Sequence, residues 1–218
     1  MTKQSRHKSI RIDHSVKFTA DTHFGHGLMV SRERKDKSGN PLPQLREFPS
    51  IQAHDEALIE SWNDCVSPKD TICHMGDFGW WKAPLEDLER IFKRLNGKKI
   101  LIVGNHDSVE VERFGWERVI HGVVHFTDSD GQKIVGSHHP QREWDSWHGG
   151  SLHFHGHTHG TLPSSRRSFD IGVDSMGRWP LNATEIRAYM ATLPELDFRG
   201  VPVADFVAGS DDDETLTP

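Results

Sequence analysis

The sequence contains little cysteine and no long hydrophobic run, and each scarcity argues against a class of protein. Only two cysteines occur among 218 residues, Cys65 and Cys73, and they do not form a C-x-x-C pair. Neither a disulfide framework nor a cysteine-ligated zinc site is therefore indicated. The longest unbroken aliphatic run, Ile100–Val103, is far shorter than a membrane span. The N-terminus has no apolar stretch of the signal-peptide type, so we expect a soluble, cytoplasmic protein with no membrane partner.

The charge balance is mildly acidic, with 26 Lys and Arg against 32 Asp and Glu and a net charge of −6. Binding to long nucleic acid favours a clustered basic surface, so this balance weighs against such a partner. The length suits one domain with a sizeable core. We expect a polar leader over residues 1–15, a single domain over residues 16–205, and an acidic, disordered tail over residues 206–218.

Histidine, by contrast, is abundant and unevenly distributed. The chain has 16 histidines and a single tyrosine. Seven of the histidines fall within 22 residues and are interleaved with apolar positions, which is not the pattern of a purification tag: His138, His139, His148, His153, His155, His157 and His159. Histidine is the commonest metal ligand and a frequent acid–base group, so this cluster indicates chemistry.

The hydrophobic pattern predicts an α/β first half and a strand-rich second half. Helices are predicted at Ile51–Cys65, with Ser50 as N-cap, and at Pro84–Leu95, and a short helix or strand near Glu185–Thr192. Strands are predicted at Val16–Ala20, Asp70–Met75, Lys99–Val103, Gly122–Thr127, Gln132–Ser137, Ser151–His155 and Phe169–Val173. The polar segment Ser31–Ser50 is predicted to be a long functional or mobile loop.

Five of the predicted strands run into polar residues of one chemical kind. In chain order these are Asp21-Thr22-His23, Gly76-Asp77, Gly104-Asn105-His106-Asp107, His138, and Gly156-His157-Thr158-His159. Each motif alone is common in ordinary turns and loops. Sites in open α/β sheets lie beyond the carboxyl ends of the strands. The repeated position of these motifs at strand ends therefore predicts that they converge in one crevice.

Taken in this order, the five blocks resemble the signature of the calcineurin-like metallophosphoesterase superfamily. The resemblance covers residues 16–174, and the stretches Thr19–His26 and Gly76–Phe78 are similar to its small, single-domain bacterial and phage members. It implies a four-layer α/β/β/α sandwich with a dinuclear metal site at the carboxyl ends of the strands.

The resemblance also implies which residues bind metal. One ion would be held by Asp21, His23, Asp77 and His159, and the other by Asp77, Asn105, His138 and His157, which makes Asp77 the bridge. This mixture of oxygen and imidazole ligands suits manganese, iron or zinc better than magnesium or calcium. We expect two divalent ions per chain, with manganese as the first choice.

The implied reaction is direct attack on phosphorus by a hydroxide that bridges the two ions, without a phosphoenzyme intermediate. By the same resemblance, His106 would protonate the leaving oxygen or stabilise phosphoryl charge, and Asp107 would orient or charge His106. Substrate contacts are predicted for His26, His139 and Arg142.

The substrate is expected to be a small or short phosphoester, with phosphodiesters modestly favoured because no cap domain or clamp for a dianionic phosphate is evident. A phosphomonoesterase and a nuclease acting at the same site are the alternatives. A metal-binding regulatory module without turnover is the alternative of another class. The tryptophans that flank the motifs could pack in the core or form a stacking wall for a nucleobase: Trp80, Trp81, Trp144 and Trp147.

Overall fold

The chain folds into two β-sheets packed face to face. The computed structural model describes residues 9–196, so the predicted acidic tail lies outside the described residues, as do positions 1–8 of the predicted leader. The strands within the described residues are β1 (Ile10–Arg11), β2 (Val16–Thr19), β3 (Thr71–His74), β4 (Lys98–Ile102), β5 (Arg118–Ile120), β6 (Val124–Thr127), β7 (Lys133–Ser137), β8 (Leu152–His155), β9 (Ser168–Asp170) and β10 (Leu181–Asn182).

The first sheet has the order β10-β2-β3-β4-β5 and the second the order β1-β6-β7-β8-β9. All pairings are parallel except β10 with β2 and the β6–β7 hairpin. Residues 10–12, which belong to the predicted leader, pack with the sheets, because β1 pairs with β6 and Ile12 is buried in the core.

The described helices are α1 (Ile51–Cys65), α2 (Leu85–Arg94), α3 (Val109–Glu112) and α4 (Ala183–Met190), together with a short 3-10 helix at Gly27–Val30. The Ser50 side chain accepts a hydrogen bond from Ala53 N, which confirms the predicted start of α1. The ambiguous segment near residue 185 is helical, because Asn182 and Glu185 form a capping box at its first turn. Among residues 9–196, no helix is long and apolar enough to cross a membrane.

Successive side chains along each strand point to opposite faces of its sheet, and this divides the core into two layers. Between the sheets, the Phe18 ring makes edge-to-face contacts with Phe126 at 5.4 Å and Phe154 at 5.5 Å. On β3, Cys73 faces this inner core while Ile72 belongs to the cluster beneath α1 and α2. Burial of such aromatic and aliphatic side chains supplies the main favourable free energy of folding.

The outer face of the second sheet is covered by residues 141–151, which contain no helix or strand. Trp144 is buried there, and its ring stacks on His153 with centroids 5.1 Å apart. Trp144 is therefore a packing residue. The arrangement is the predicted α/β fold, with helices over one sheet, two sheets in the middle and an irregular outer layer.

Candidate metal centre

The polar residues at the ends of β2, β3, β4, β7 and β8 meet at one edge of the sandwich. Parallel pairing points the carboxyl ends of β2, β3 and β4 in the same direction, and β7 and β8 likewise end together. Backbone hydrogen bonds join the exits, as Asp21 N donates to Gly76 O and Gly156 N donates to His138 O, both at 3.0 Å. The five motifs therefore converge, as predicted.

Left-handed backbone conformations aim the side chains into this crevice. Among the described residues, seven positions other than glycine have positive φ, and five of them are predicted metal ligands: Asp21, His23, Asp77, His157 and His159. Such conformations cost on the order of 1–3 kcal/mol each and cluster at functional sites. The backbone strain in the described chain is therefore concentrated at the candidate centre.

Glycines at the strand exits let the backbones approach closely. A Cβ atom on Gly156 would lie 2.6 Å from Asp21 Oδ2 and 2.8 Å from Ala20 Cβ. Gly76 has φ of +92°, and a Cβ atom there would lie 2.5 Å from His138 Nδ1. Any side chain at these positions would displace a predicted ligand.

The first group of ligands is Asp21, His23 and His159, whose donor atoms lie within 4.8 Å of one another. The Nε2 atoms of His23 and His159 are 3.3 Å apart, and His23 Nε2 is 3.6 Å from Asp77 Oδ2. His159 Nδ1 donates to Asp174 Oδ2 at 2.7 Å. The lone pair on His159 Nε2 is therefore free to bind a cation.

The second group lies on the other side of Asp77. His138 Nε2 is 3.0 Å from Asn105 Oδ1 and 3.3 Å from Asp77 Oδ1, while His138 Nδ1 donates to Met75 O at 2.9 Å. His157 completes the group, with its ring centroid 5.1 Å from that of His138.

These residues fit a pair of divalent ions. With His138 Nδ1 donating to Met75 O, the Nε2 atom faces Asn105 Oδ1 and Asp77 Oδ1, and a divalent ion would take the place of the Nε2 proton there. Converging lone pairs repel one another unless a proton or a metal ion lies between them. Asp77 turns one carboxylate oxygen toward each group, a position from which it could bind both ions.

Burial sets the protonation of the ligands. It lowers the pKa of His23 to about 2, so this imidazole is neutral and able to bind metal. Burial raises the pKa of Asp21 to about 7 despite the nearby His159 and His138. Burial also acts against ionisation of Asp77, but the hydrogen bond with His138, electrostatic interactions with His138 and His23 and the backbone N–H of His106 together outweigh it and hold the pKa of Asp77 well below its usual range.

His106 lies at the rim of the crevice. Its side chain is 29% exposed, its Nε2 atom is 4.0 Å from Asp77 Oδ2, and its ring lies 5.1 Å from that of His23. The backbone N–H of His106 donates to Asp77 Oδ1 at 2.8 Å, which fixes the turn that carries the imidazole. The ring is therefore both near the candidate metal centre and open to solvent.

The predicted pairing of Asp107 with His106 is wrong. The Asp107 carboxylate accepts hydrogen bonds from the backbone N–H groups of Gly104, Asp77 and Phe78, at 2.8 to 2.9 Å. His106 Nδ1 has no hydrogen-bond partner among the described residues. Burial nevertheless raises the pKa of Asp107 to about 6. Asp107 ties the two ligand-bearing turns together, because three amides need an acceptor where the strands end.

His26 and Trp80 form a wall beside His106. Their rings stack with centroids 3.8 Å apart and an interplanar angle of 5°, and His26 lies 5.9 Å from His106. Both ring nitrogens of His26 are buried without a hydrogen-bond partner within residues 9–196. Burial lowers the pKa of His26 to about 4, so the ring is neutral. The neutral ring therefore carries one N–H group that no described residue accepts.

The other two predicted substrate contacts differ in position. His139 is exposed and close to the second group, with its ring 4.3 Å from that of His157 and 4.9 Å from that of His138. Arg142 is exposed in the irregular layer over the second sheet, and none of the hydrogen bonds or ion pairs of the described residues joins it to the centre.

Sequence reasoning missed Asp170, Asp174 and Arg46. Asp170 accepts from Thr158 Oγ1 and from Gly160 N, which shapes the loop that carries His157 and His159. Asp174 directly follows the predicted strand Phe169–Val173. The reasoning that placed the metal ligands at the ends of strands could therefore have drawn attention to it. Arg46 gave no such signal, since it lies in a polar loop without periodicity.

The fold and the site together define an α/β sandwich with a candidate two-metal centre at the strand ends. The chain belongs to the calcineurin-like phosphoesterase family, whose sequence profile matches residues 14–161.

The chain is also similar to two relatives and to a solved structure. The chain is 26% identical over 170 residues to an uncharacterised protein of Methanocaldococcus jannaschii, covering 75% of this chain and 84% of that protein. It is 27% identical over 194 residues to the Gene 66 protein of Mycobacterium phage L5, covering 74% and 87%. The crystal structure of a protein of unknown function from Aquifex aeolicus aligns with a TM-score of 0.61 at 22% identity, over 80% of this chain and 98% of that chain, which supports the fold.

Proposed function

We propose that the protein is a metal-dependent phosphoester hydrolase that uses two divalent ions and prefers phosphodiesters. The observation that carries this proposal is the position of Asp77, whose two carboxylate oxygens face two separate groups of ligands. Family membership supports hydrolysis as the reaction class.

The ions would be held by the seven predicted ligands, with manganese as our first choice. When bound, they supply a water of lowered pKa as the nucleophile and positive charge for the phosphoryl oxygens. His106 is the residue we assign to the proton transfer. Its exposed ring at the rim can donate a proton to the leaving oxygen as the phosphoester bond breaks.

His26 is assigned to substrate binding. Its ring is held by stacking on Trp80, so the orientation of its unused N–H is fixed before the substrate arrives. A pre-oriented donor loses little conformational entropy on binding. His139, at the far side of the centre, is assigned to the opposite end of the substrate.

The charge around the centre favours a diester over a monoester. Enzymes that bind a dianionic phosphate commonly use a bidentate arginine. Arg46 is close to the ligand-bearing turns, but its guanidinium is buried and its donors are already bonded to protein groups. The phosphate of a diester carries a single negative charge, so its binding depends less on a bidentate arginine.

Hydrolysis of bis(p-nitrophenyl) phosphate and p-nitrophenyl phosphate, compared at equal Mn²⁺ concentration, tests the proposal. We expect turnover of both, with the larger kcat/KM for the diester. A preference of tenfold or more for the monoester would make the protein a phosphatase. Two bound ions without turnover of either ester, or of an end-labelled oligonucleotide, would make it a metal-binding module.

A further inference from the structure

The guanidinium of Arg46 connects the long polar segment to one side of the metal centre. Arg46 is 7% exposed, and its backbone N–H donates to Met29 O at 2.8 Å. Nε and Nη2 form a bidentate pair with the Asp174 carboxylate at 2.9 and 2.7 Å. The same Asp174 accepts the Nδ1 proton of His159. Arg46 thus holds the carboxylate that orients a predicted ligand.

Two further N–H groups of Arg46 bind the turn after β2. Nη2 donates to Asp21 O at 2.6 Å and Nη1 donates to Thr22 O at 2.9 Å. Asp21 and His23 both have left-handed backbone conformations in this turn, with φ of 58° and 49°. Because such conformations are unfavourable for these residues, the two hydrogen bonds help to hold the turn in place.

The fifth donor is fixed by α1. Arg46 Nη1 lies 2.8 Å from His54 Nε2, which must accept, so His54 Nδ1 carries the proton and donates to Asp55 Oδ1 at 2.8 Å. Asp55 in turn accepts from Gly25 N at 3.0 Å. All five guanidinium donors are therefore used, and a lysine could not reproduce this planar pattern.

Among the described residues, the direct contacts of Arg46 with the centre are to the first group of ligands, while the Asp21 carboxylate in turn accepts the backbone N–H of His157 at 2.9 Å. The contacts of Arg46 reach Asp21 and the peptide before His23 directly, and His159 through Asp174. None of the hydrogen bonds of Arg46 within residues 9–196 reaches the second group, where Met75 O orients His138 instead. The support given by Arg46 is therefore asymmetric.

We propose that Arg46 is a positioning residue for the first metal site alone, so that the segment Ser31–Ser50 contributes to the affinity of one of the two ions. This inference rests on the proposed two-ion centre. Residues that orient metal ligands from outside typically contribute roughly 10- to 100-fold to metal affinity.

Titration of the metal-free protein with Mn²⁺ tests the inference. Calorimetry gives the affinity for each ion, and electron paramagnetic resonance distinguishes a single bound ion from a pair. In Arg46→Lys and Asp174→Asn, we expect one ion to bind as in wild type and the other roughly 10- to 100-fold more weakly. At the Mn²⁺ concentration that just fills both wild-type sites, the spectrum should change from that of a coupled pair in wild type to that of a single ion in the variants. In Arg46→Ala, added guanidinium should restore part of the lost affinity.

Arg34→Ala is the matched control, because Arg34 lies in the same segment and donates to Pro43 O rather than to the centre. It should bind both ions as wild type does. Circular dichroism establishes whether each variant is folded. If Arg46→Ala does not fold, Arg46→Lys and Asp174→Asn still test the inference. Unchanged affinity for both ions, or an equal loss at both, would overturn the inference while leaving the proposed function intact. A wild-type protein that binds fewer than two ions would overturn both.

Discussion

At the scale of single residues, the candidate centre depends on one shared carboxylate. Asp77 is 1% exposed, and each of its oxygens faces a different group of ligands. Asn at this position keeps the shape but removes the charge that both ions would share. We expect Asp77→Asn to lose both ions, measured as metal content per chain after reconstitution with Mn²⁺. Asp87→Asn, at an exposed carboxylate of α2, should keep both. Full occupancy of Asp77→Asn would remove the bridging role.

His106 allows binding and chemistry to be separated. Its ring lies at the rim, so His106→Gln should retain both ions and lose kcat by roughly 10²- to 10⁴-fold, the usual contribution of a positioned proton donor. The loss should be smaller for nitrophenyl esters than for alkyl esters, because an acidic leaving group needs less protonation. Equal losses on both classes of ester would indicate that His106 positions phosphate instead.

The positions of single side chains could be predicted from the sequence where a residue directly follows a strand. His138 and Asn105 each follow a buried parallel strand, so both had to reach the same edge of the sandwich. The prediction failed for Asp107, whose partners are three backbone amides that become neighbours only when the turns fold against one another. Arg46 was missed for the same reason, since its partners lie on three separate segments.

At the scale of elements, the turns that follow the strands lie so close together that a glycine between them should not tolerate a larger side chain. In Gly156→Ala the new methyl group would lie 2.6 Å from Asp21 Oδ2, so the turn after β2 must shift. We expect a loss of affinity for the first ion, measured by Mn²⁺ titration. The matched control is Gly115→Ala, where the nearest atom is Phe92 Cε1 at an ordinary 3.6 Å. Equal metal affinity in the two variants would contradict this account of the exits.

Prediction of the elements succeeded for those with an apolar face and failed for short ones. The helix α1 has the predicted bounds, and the central strands differ from their predicted bounds by one or two residues. The strands β1, β5 and β10 and the helix α3 contain only two to four residues, too few to show a period. Such elements are fixed by pairing, as when Leu181 aligns with Phe18 on β2.

At the scale of the whole molecule, the core between the two sheets should open only on global unfolding. Cys73 lies fully inside it, and burial raises the pKa of its thiol to about 12, whereas Cys65 is partly exposed at the end of α1. We expect a thiol reagent to modify one cysteine of the native protein and to reach the second along the urea unfolding curve. Modification of Cys73 well below the unfolding midpoint would show that the sheets separate locally.

The whole-molecule architecture was predictable because a family signature and the placement of polar motifs at strand ends agreed on one crevice. The irregular outer layer over the second sheet was not predictable, since residues 141–151 are held by contacts such as Trp144 on His153 and not by a repeating pattern. The strand β1 was not predictable either, because it is too short to be recognised before its partner β6 is known.

The central claim is that the converging ligands form one two-ion centre that hydrolyses phosphoesters. Stepwise titration of the metal-free protein with Mn²⁺, with bound metal and hydrolysis of bis(p-nitrophenyl) phosphate measured on the same samples, tests it most directly. We expect binding to saturate at two ions per chain and turnover to rise mainly with the second. Saturation at one ion, or two bound ions with no turnover, would contradict it.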